Sequence, residues 1–383
     1  RFRFVFSCAM TETSKKKKKL KNATEALDKS QLDAKEVIAD LVSNTTNIAV
    51  AGERGRAKSS FINAVRGLRD DEEGAAPGGQ EEPAAEPTKY PNPKYPDVRI
   101  WDLPAPPAPD FDPEEYLEDM RLGRYCSFII AASETIDHSY YTLSAAVMAT
   151  NKPLYFIILA SPGESPECLQ ERKRRSVEGF KTRGMEAPRL FLVSSWALRR
   201  LEFVDLLQAL QTDLSEMKMN KLLISLPAFA APVLRMKSKA FRNDIMREAH
   251  TSGGMPAVPF LGVGSKPDLR GLETLLTRIQ ESFGLDHASL ERLAKQVDQP
   301  VEQLRAALSS EISSEVSRSL VKKLLAQVKS QDSAAARVLD SSPAGGKKVN
   351  KRFSAKYRML KSAMDELEKD AEAVLEKAWG GKD

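Results

Sequence analysis

Four stretches of this chain are apolar almost without interruption: "NIAVAG" (47–52), "CSFIIAAS" (126–133), "KPLYFIILAS" (152–161) and "PRLFLVSS" (188–195). Strands with one wet face alternate apolar and polar residues; runs of about five apolar residues bounded by turn residues are buried on both faces. Helical patterns such as "SSFINAVRGL" and "VEGFKTRG" lie between them, and "VRIWDLP" adds a strand that ends in an aspartate. Continuous apolar runs alternating with helices predict an α/β unit with a mostly parallel sheet of about six strands.

From about Glu202 the strand signal disappears. "FVDLLQALQTDL", "LRGLETLLTRIQESFGL", "ASLERLAKQV", "SRSLVKKLLAQV" and "YRMLKSAMDELEKDAEAVLEKAW" all carry helical periodicity, as does "LKNATEALDKSQLDAKEVIADL" (20–41) before the first strand. The expected domains are a flexible basic tail (1–19), an N-terminal helix (20–45), an α/β domain (46–215) and a C-terminal helical domain (216–383) onto which the N-terminal helix packs. The Gly/Pro/Glu-rich "DDEEGAAPGGQEEPAAEPTKYPNPKYP" (70–96) reads as a surface excursion. No internal repeat is present.

Composition removes several classes of function. The net charge of +5, from 58 basic and 53 acidic residues, is matched by the Lys15–Lys19 run alone, so no nucleic-acid partner is expected. Cys8, Cys126 and Cys168 form no CxxC pair, which fits a reducing, cytoplasmic setting. No stretch reaches about 18 apolar residues, the length that spans a bilayer. "RFRFVFSCAM" is too short for a secretory signal, and the natural start is expected at Met10. His138, His250 and His287 show no ligand spacing, so no metal is assigned to them.

The chemistry concentrates in "GERGRAKSS", Gly52 to Ser60. A phosphate loop of the form G-x-x-x-x-G-K-[ST] needs glycines so that backbone N–H groups approach phosphate, a lysine for the terminal phosphates and a hydroxyl for Mg²⁺. Gly52, Lys58 and Ser59 keep those places after a strand and before a helix, with Ala57 where the second glycine belongs and an extra Gly55. If position 57 requires positive φ, or if its Cβ faces the phosphates, alanine costs on the order of 1 kcal/mol. Glu53, Arg54, Arg56 and Ser60 complete the candidate loop; Arg54 and Arg56 either offer charge to phosphate or are solvated loop arginines. Asp102, at the end of "VRIWD", is the candidate carboxylate that with Ser59 would hold Mg²⁺ once nucleotide binds. Ala105 stands where D-x-x-G has its glycine, and Pro106, Pro107 and Pro109 stiffen the segment that follows.

With "NIAVAGERG.AKSSFINAVRGL", "EEGAA", "YPNPKYPDVRIWDLP", "LFLVSS", "LLISLP" and "FGLDHASLERLAKQV", the chain resembles the immunity-related, interferon-inducible GTPases, and within them the divergent quasi-GTPase members. The resemblance runs from about residue 35 to 310 and resumes in "MDELEKDAEAVLEKA". It implies that 46–215 is a G domain, that GTP or GDP with Mg²⁺ is the ancestral ligand, and that other GTPases of the family, or a second copy, pair through that domain. It also shows what has changed. The family's Thr-Thr-Met segment falls on Pro83, Ala84 and Ala85, so its switch threonine is absent; Thr88 lies too far along to replace it without a loop shift. The guanine motif Thr-Lys-x-Asp falls on Leu159, Ala160, Ser161 and Pro162, and the last base-contacting loop on Ser194 and Ser195, neither an acid. Losing both hydrogen bonds of the guanine-reading aspartate, at about 1.5–3 kcal/mol each, would lower affinity roughly a hundredfold or more and remove base preference.

Three readings follow: a pseudo-GTPase interaction module in cell-autonomous immunity or membrane traffic, with nucleotide binding weak or lost and no catalytic residue assigned; a slow GTPase using Lys58, Ser59 and Asp102; and a nucleotide-independent peripheral membrane adaptor. For the last, Lys15–Lys19 would meet an anionic intracellular membrane at about 1 kcal/mol per basic residue, although such a run also serves as a solvated tail. The apolar stretch Met255–Val263 is either a membrane contact or a buried connection. The basic stretch "AGGKKVNKRFSAKYRMLKSAM" at a helix start binds head groups or is a solvated face.

Overall fold

The computed structural model describes residues 45–53, 55–78, 86–106, 111–133, 136, 138–185, 189–251, 269–339 and 348–380. The expected basic tail, the N-terminal helix up to residue 44, Arg54, Pro83, Ala84, Ala85, Pro107, Pro109 and Met255–Val263 lie outside the described residues.

Strand β1 (Thr46–Gly52) leads into helix α1 (Arg56–Val65), and β2 (Thr88–Pro91) and β3 (Val98–Asp102) follow the excursion. Next come α2 (Pro113–Asp119), β4 (Ser127–Ala132), α3 (His138–Ala149), β5 (Leu154–Leu159), α4 (Pro166–Lys181) and β6 (Leu190–Val193). The strands lie in the order β2-β3-β1-β4-β5-β6. All neighbours are parallel except β2, which runs antiparallel to β3 at the edge.

The uninterrupted apolar runs are explained by two cores. Ile48 and Val50 of β1, with Ile129 and Tyr155, face α1, while Ala49, Ala51, Phe128 and Phe156 face Leu143, Leu169 and Phe180 of α3 and α4. Because successive side chains of a strand point to opposite faces, only apolar residues fit at every position.

The remaining chain is helical: α5 (Phe203–Asp213), α6 (Glu216–Ser225), α7 (Ala231–Thr251), α8 (Leu269–Ser282), α9 (His287–Val297), α10 (Val301–Arg305), α11 (Glu311–Ser314), α12 (Arg318–Leu339) and α13 (Lys348–Trp379). Its apolar faces, including Leu272, Leu276 and Ile279 of α8 and Leu360 and Leu367 of α13, continue the core on the α1 face of the sheet. Polar contacts fix the two halves. Asn92 Nδ2 donates to Ser225 O at 3.0 Å, Lys94 pairs with Asp286 at 2.9 Å, and Arg292 pairs with Glu72 at 3.2 Å.

One lysine is buried completely at this junction. Lys237 of α7 donates from Nζ to the carbonyl oxygens of Leu226, which ends α6, and Ser282, which ends α8, and at 3.2 Å to Ser282 Oγ. Helix ends leave carbonyls unpaired, and a cation there meets the negative end of the dipole. Burial, and after it the Lys94 ammonium, pushes the pKa down to about 7. An unfolded lysine keeps its proton to about pH 10.4. Between those values the unfolded chain binds more protons, so stability rises with pH. The native chain is therefore expected to gain on Lys237→Met by up to about 1.4 kcal/mol per unit from pH 7 upward. Urea unfolding of both proteins at pH 7, 8 and 9 checks this; a constant difference refutes it.

Candidate functional site

The parallel strands place their C-terminal ends at one edge of the sheet, and there β1 hands the chain to α1. Gly52 is needed for a close approach: a Cβ at this position would lie 2.1 Å from the carbonyl oxygen of Ala131, its partner on β4. Gly55 has no such neighbour and is extended, with φ 165°. It precedes α1 without a capping side chain, and the first turn of α1 holds no acid, so its N–H groups are left to water or an anion.

Lys58, in the first turn of α1, is buried, and its Nζ lies 2.7 Å from Asp102 Oδ1. It also donates to Leu103 O at 3.2 Å and, weakly, to Gly52 O at 3.4 Å. The register explains the pairing: Asp102 is the last residue of β3, opposite Val50 of β1, so its carboxylate meets the turn that begins two residues later. Ser59 is buried, with no side-chain hydrogen bond among the described residues. Ser60 instead turns to Asp70, at 2.5 Å, and Arg56, 80 % exposed, faces the same carboxylate at 3.7 Å.

Ala57 removes one sequence concern. It is the second residue of α1, and positive φ among non-glycine residues is confined, within the described residues, to Arg121, Asn151, Leu201 and Asp298. Alanine is therefore unstrained there, and the positive-φ part of its expected cost does not arise. Its carbonyl accepts from Ser195 Oγ at 3.4 Å, joining the loop after β6 to α1.

Around this edge the loops are fixed by contacts between distant residues. Thr88 opens β2 opposite Asp102, so the backbone ladder holds it in place. The chain after Asp102 is held by Tyr116 of α2, whose hydroxyl donates to Pro104 O at 2.6 Å. Burial raises the Tyr116 pKa well above the usual phenol range, so it stays a donor.

After Leu159, the last residue of β5, the loop reads Ala160, Ser161, Pro162, Gly163, Glu164. Its carboxylate, Glu164, was missed by sequence reasoning. It curls back to accept from Ser161 N at 2.9 Å and pairs with Arg172 of α4 at 2.6 Å, both side chains nearly buried. Burial alone would raise its pKa, but the Arg172 guanidinium and the Ser161 N–H outweigh that and hold it low. Arg172 also donates to the carbonyl oxygens of Leu159 and Ser133, closing the loop onto the end of β4. The only local signal is the i, i+8 spacing of an acid and a base across a helix start, which carries no weight by itself. Trp196, 45 % exposed, follows Ser195, and its carbonyl accepts from Gln296 of α9 at 3.1 Å.

The donor set at the end of β1 has the chemistry of a phosphate site. An ammonium, a hydroxyl, an open helix N-terminus and a strand-end carboxylate suit a phosphate chain with Mg²⁺, with Lys58, Ser59 and Asp102 as the groups that would hold them. In the loops after β5 and β6, Glu164 is paired with Arg172, and the side chains of Ser194 and Ser195 supply hydroxyls rather than a carboxylate.

A family model described as interferon-inducible GTPase matches residues 11–378. Interferon-inducible GTPase 5 of Rattus norvegicus is 30 % identical over 360 residues, covering 90 % of this chain and 78 % of the relative. Interferon-gamma-inducible GTPase 10 of Mus musculus is 30 % identical over 284 residues, covering 71 % of this chain and 68 % of the relative. Among solved structures, a variant of Era from Aquifex aeolicus bound to GDP and AlF4− aligns with 12 % identity and a TM-score of 0.30, over 62 % of this chain and 66 % of that one. No helix among the described residues is long and apolar enough to cross a membrane.

Proposed function

The chain belongs to the interferon-inducible GTPase family, and from that premise we propose that it is a pseudo-GTPase: an interaction module that keeps the phosphate half of its site and has given up the guanine half. The observation that carries this reading is the loop after β5, where Pro162 stands in place of the guanine-reading aspartate and the adjacent carboxylate, Glu164, is bound to Arg172. In this reading residues 46–215 are the G domain, and residues 20–45 with 216–383 form the helical domain. The ancestral ligand, GTP or GDP with Mg²⁺, binds weakly or not at all. The relatives are named as interferon-inducible GTPases; this chain would act in cell-autonomous immunity, or membrane traffic, by pairing with family GTPases or with itself through the G domain.

One observation favours a second reading, a slow GTPase: Lys58, Ser59 and Asp102 are still together. Calorimetry of the full chain with GTP, GDP and ATP in Mg²⁺ separates the two. The pseudo-GTPase reading expects no heat, or weak binding with GTP and ATP within about threefold of each other. Micromolar binding with a tenfold or greater guanine preference, about 1.4 kcal/mol, overturns it. A Pro162→Asp variant run beside it is expected to move the ratio toward guanine.

A further inference from the structure

Between the two halves a cleft of about 790 Å³ runs from α1 to α8, α9 and the end of α13. Its floor is apolar and buried, built from Leu226, Phe229, Phe283, Val374 and Leu375. Several buried polar groups that border the floor are paired within the protein, whereas Tyr95 Oη and Trp379 Nε1, which also line the cleft, are buried without a hydrogen-bond partner among the described residues. Asn92 donates to Ser225 O and accepts from Lys94 N and Tyr95 N; Ser225 Oγ donates to Leu222 O, and Ser282 Oγ to Ile224 O. Arg66 donates to Pro91 O and Gly74 O. A ligand seated on this floor would find mainly apolar contact, with the Tyr95 hydroxyl and the Trp379 N–H as the open donors, which favours a hydrocarbon body over a sugar or a base rich in polar groups.

The rim has the opposite character. Of the charged residues lining the cleft six are basic and three acidic. Lys94, Arg292, Arg69 and Arg56 face Asp286, Glu72, Asp71 and Asp70, at 2.9, 3.2, 3.1 and 3.7 Å. Lys295 of α9, exposed at the mouth, makes no ion pair among the described residues. Floor and rim together ask for one molecule with a hydrocarbon body and a negative end.

We propose that the cleft binds a single-chain amphiphile with an anionic head, its hydrocarbon on the Leu226–Phe283–Leu375 floor and its head at Lys295. Burial of the chain supplies the affinity, and the cation sets the head-group charge. The proposal stands apart from the nucleotide reading: Lys58, Ser59 and Asp102 do not line the cleft, whereas Arg56, Ser60 and Ala64, on another side of α1, do.

Calorimetry of the full chain below the critical micelle concentration tests it, with decanoate and decyl phosphate as anionic probes and decanol as the uncharged one. One-to-one saturable binding of an anionic probe is expected, and the tighter of the two identifies the head group as carboxylate or phosphate. Lys295→Glu, on the surface, is expected to weaken the anionic probes about tenfold and decanol less than about twofold. Ala64→Trp, which fills the α1 wall, is expected to abolish binding of all three, with thermal unfolding showing that the variant is folded. Absence of saturable binding, equal loss of decanol and anions in Lys295→Glu, or undiminished binding in folded Ala64→Trp overturns the proposal.

Discussion

Gly52→Ala is expected to destabilise the protein by about 3 kcal/mol, while Gly55→Ser, three residues on, changes stability by less than about 0.5 kcal/mol. The two glycines look alike in "GERG", yet they sit in different surroundings. A Cβ on Gly52 meets Ala131 O at 2.1 Å, Ala131 C at 3.1 Å and Ala131 Cβ at 3.3 Å. Two of these atoms are backbone of the neighbouring strand and cannot rotate away. Relief requires opening the last rung of the β1–β4 ladder, which displaces the loop leading to Lys58 and separates it from Asp102. A Cβ on Gly55 meets nothing within 4 Å, its φ of 165° suits any residue, and serine is a better cap than glycine at the start of α1. Urea unfolding of both variants measures this. Equal midpoints would show that the strands yield without cost and would remove the steric account of Gly52.

Asp370→Ala is expected to cost about 3–5 kcal/mol, a fall of roughly 4–6 °C in Tm for a chain of this size. Asp370, 1 % exposed on α13, caps α11 from another helix. Its carboxylate accepts from Ser309 N at 3.0 Å, Ser310 N at 2.8 Å, Ser309 Oγ at 2.5 Å and Ser310 Oγ at 2.8 Å. Truncation strands two backbone donors and the Ser309 hydroxyl, while Ser310 Oγ keeps Ser313 Oγ at 2.7 Å, so the penalty is desolvation as much as lost attraction. Burial alone would raise the carboxyl pKa, but the hydrogen bonds from Ser309, Ser310 and Ser313 outweigh it and leave it lowered. A lowered carboxylate stabilises the fold above the unfolded value of about 3.9 and loses that contribution as pH falls through the folded value. The gap between native and variant should therefore hold from pH 7 down to about 4 and narrow below that, as pH falls from the unfolded value through the lower folded one. Calorimetric melting at pH 7, 5 and 3.5 decides; a gap unchanged at the lowest pH would show that the charge contributes nothing beyond packing.

Neither contact was legible in the chain. The apolar period of "YRMLKSAMDELEKDAEAVLEKAW" announces a helix, but Asp370 reads there as one more acid on a wet face. Lys237 in α7 reads the same way, although it is fully buried. Helical periodicity reports which side of a helix is apolar, not which polar residue on its flank meets the open end of another helix. Edge strand β2 was equally hidden: "TKYP" lies in a Gly/Pro/Glu-rich stretch and becomes a strand only through its backbone pairing with β3.

What the sequence determined by itself is the kind of protein. Uninterrupted apolar runs required a sheet buried on both faces, and long 3.6-residue periods required a helical half. The spacing of Gly52, Lys58 and Ser59 after a strand placed a phosphate-loop-like turn at its edge. These signals are local, because they depend on the periods of strand and helix and on the turn between them. Tertiary structure decided which groups meet: Lys58 with Asp102, Glu164 with Arg172, Gly52 with Ala131, and the cleft between the halves. Each joins residues separated by a strand crossing, a helix turn or a whole domain, and their distances follow from packing and register, which residue types along a chain leave open.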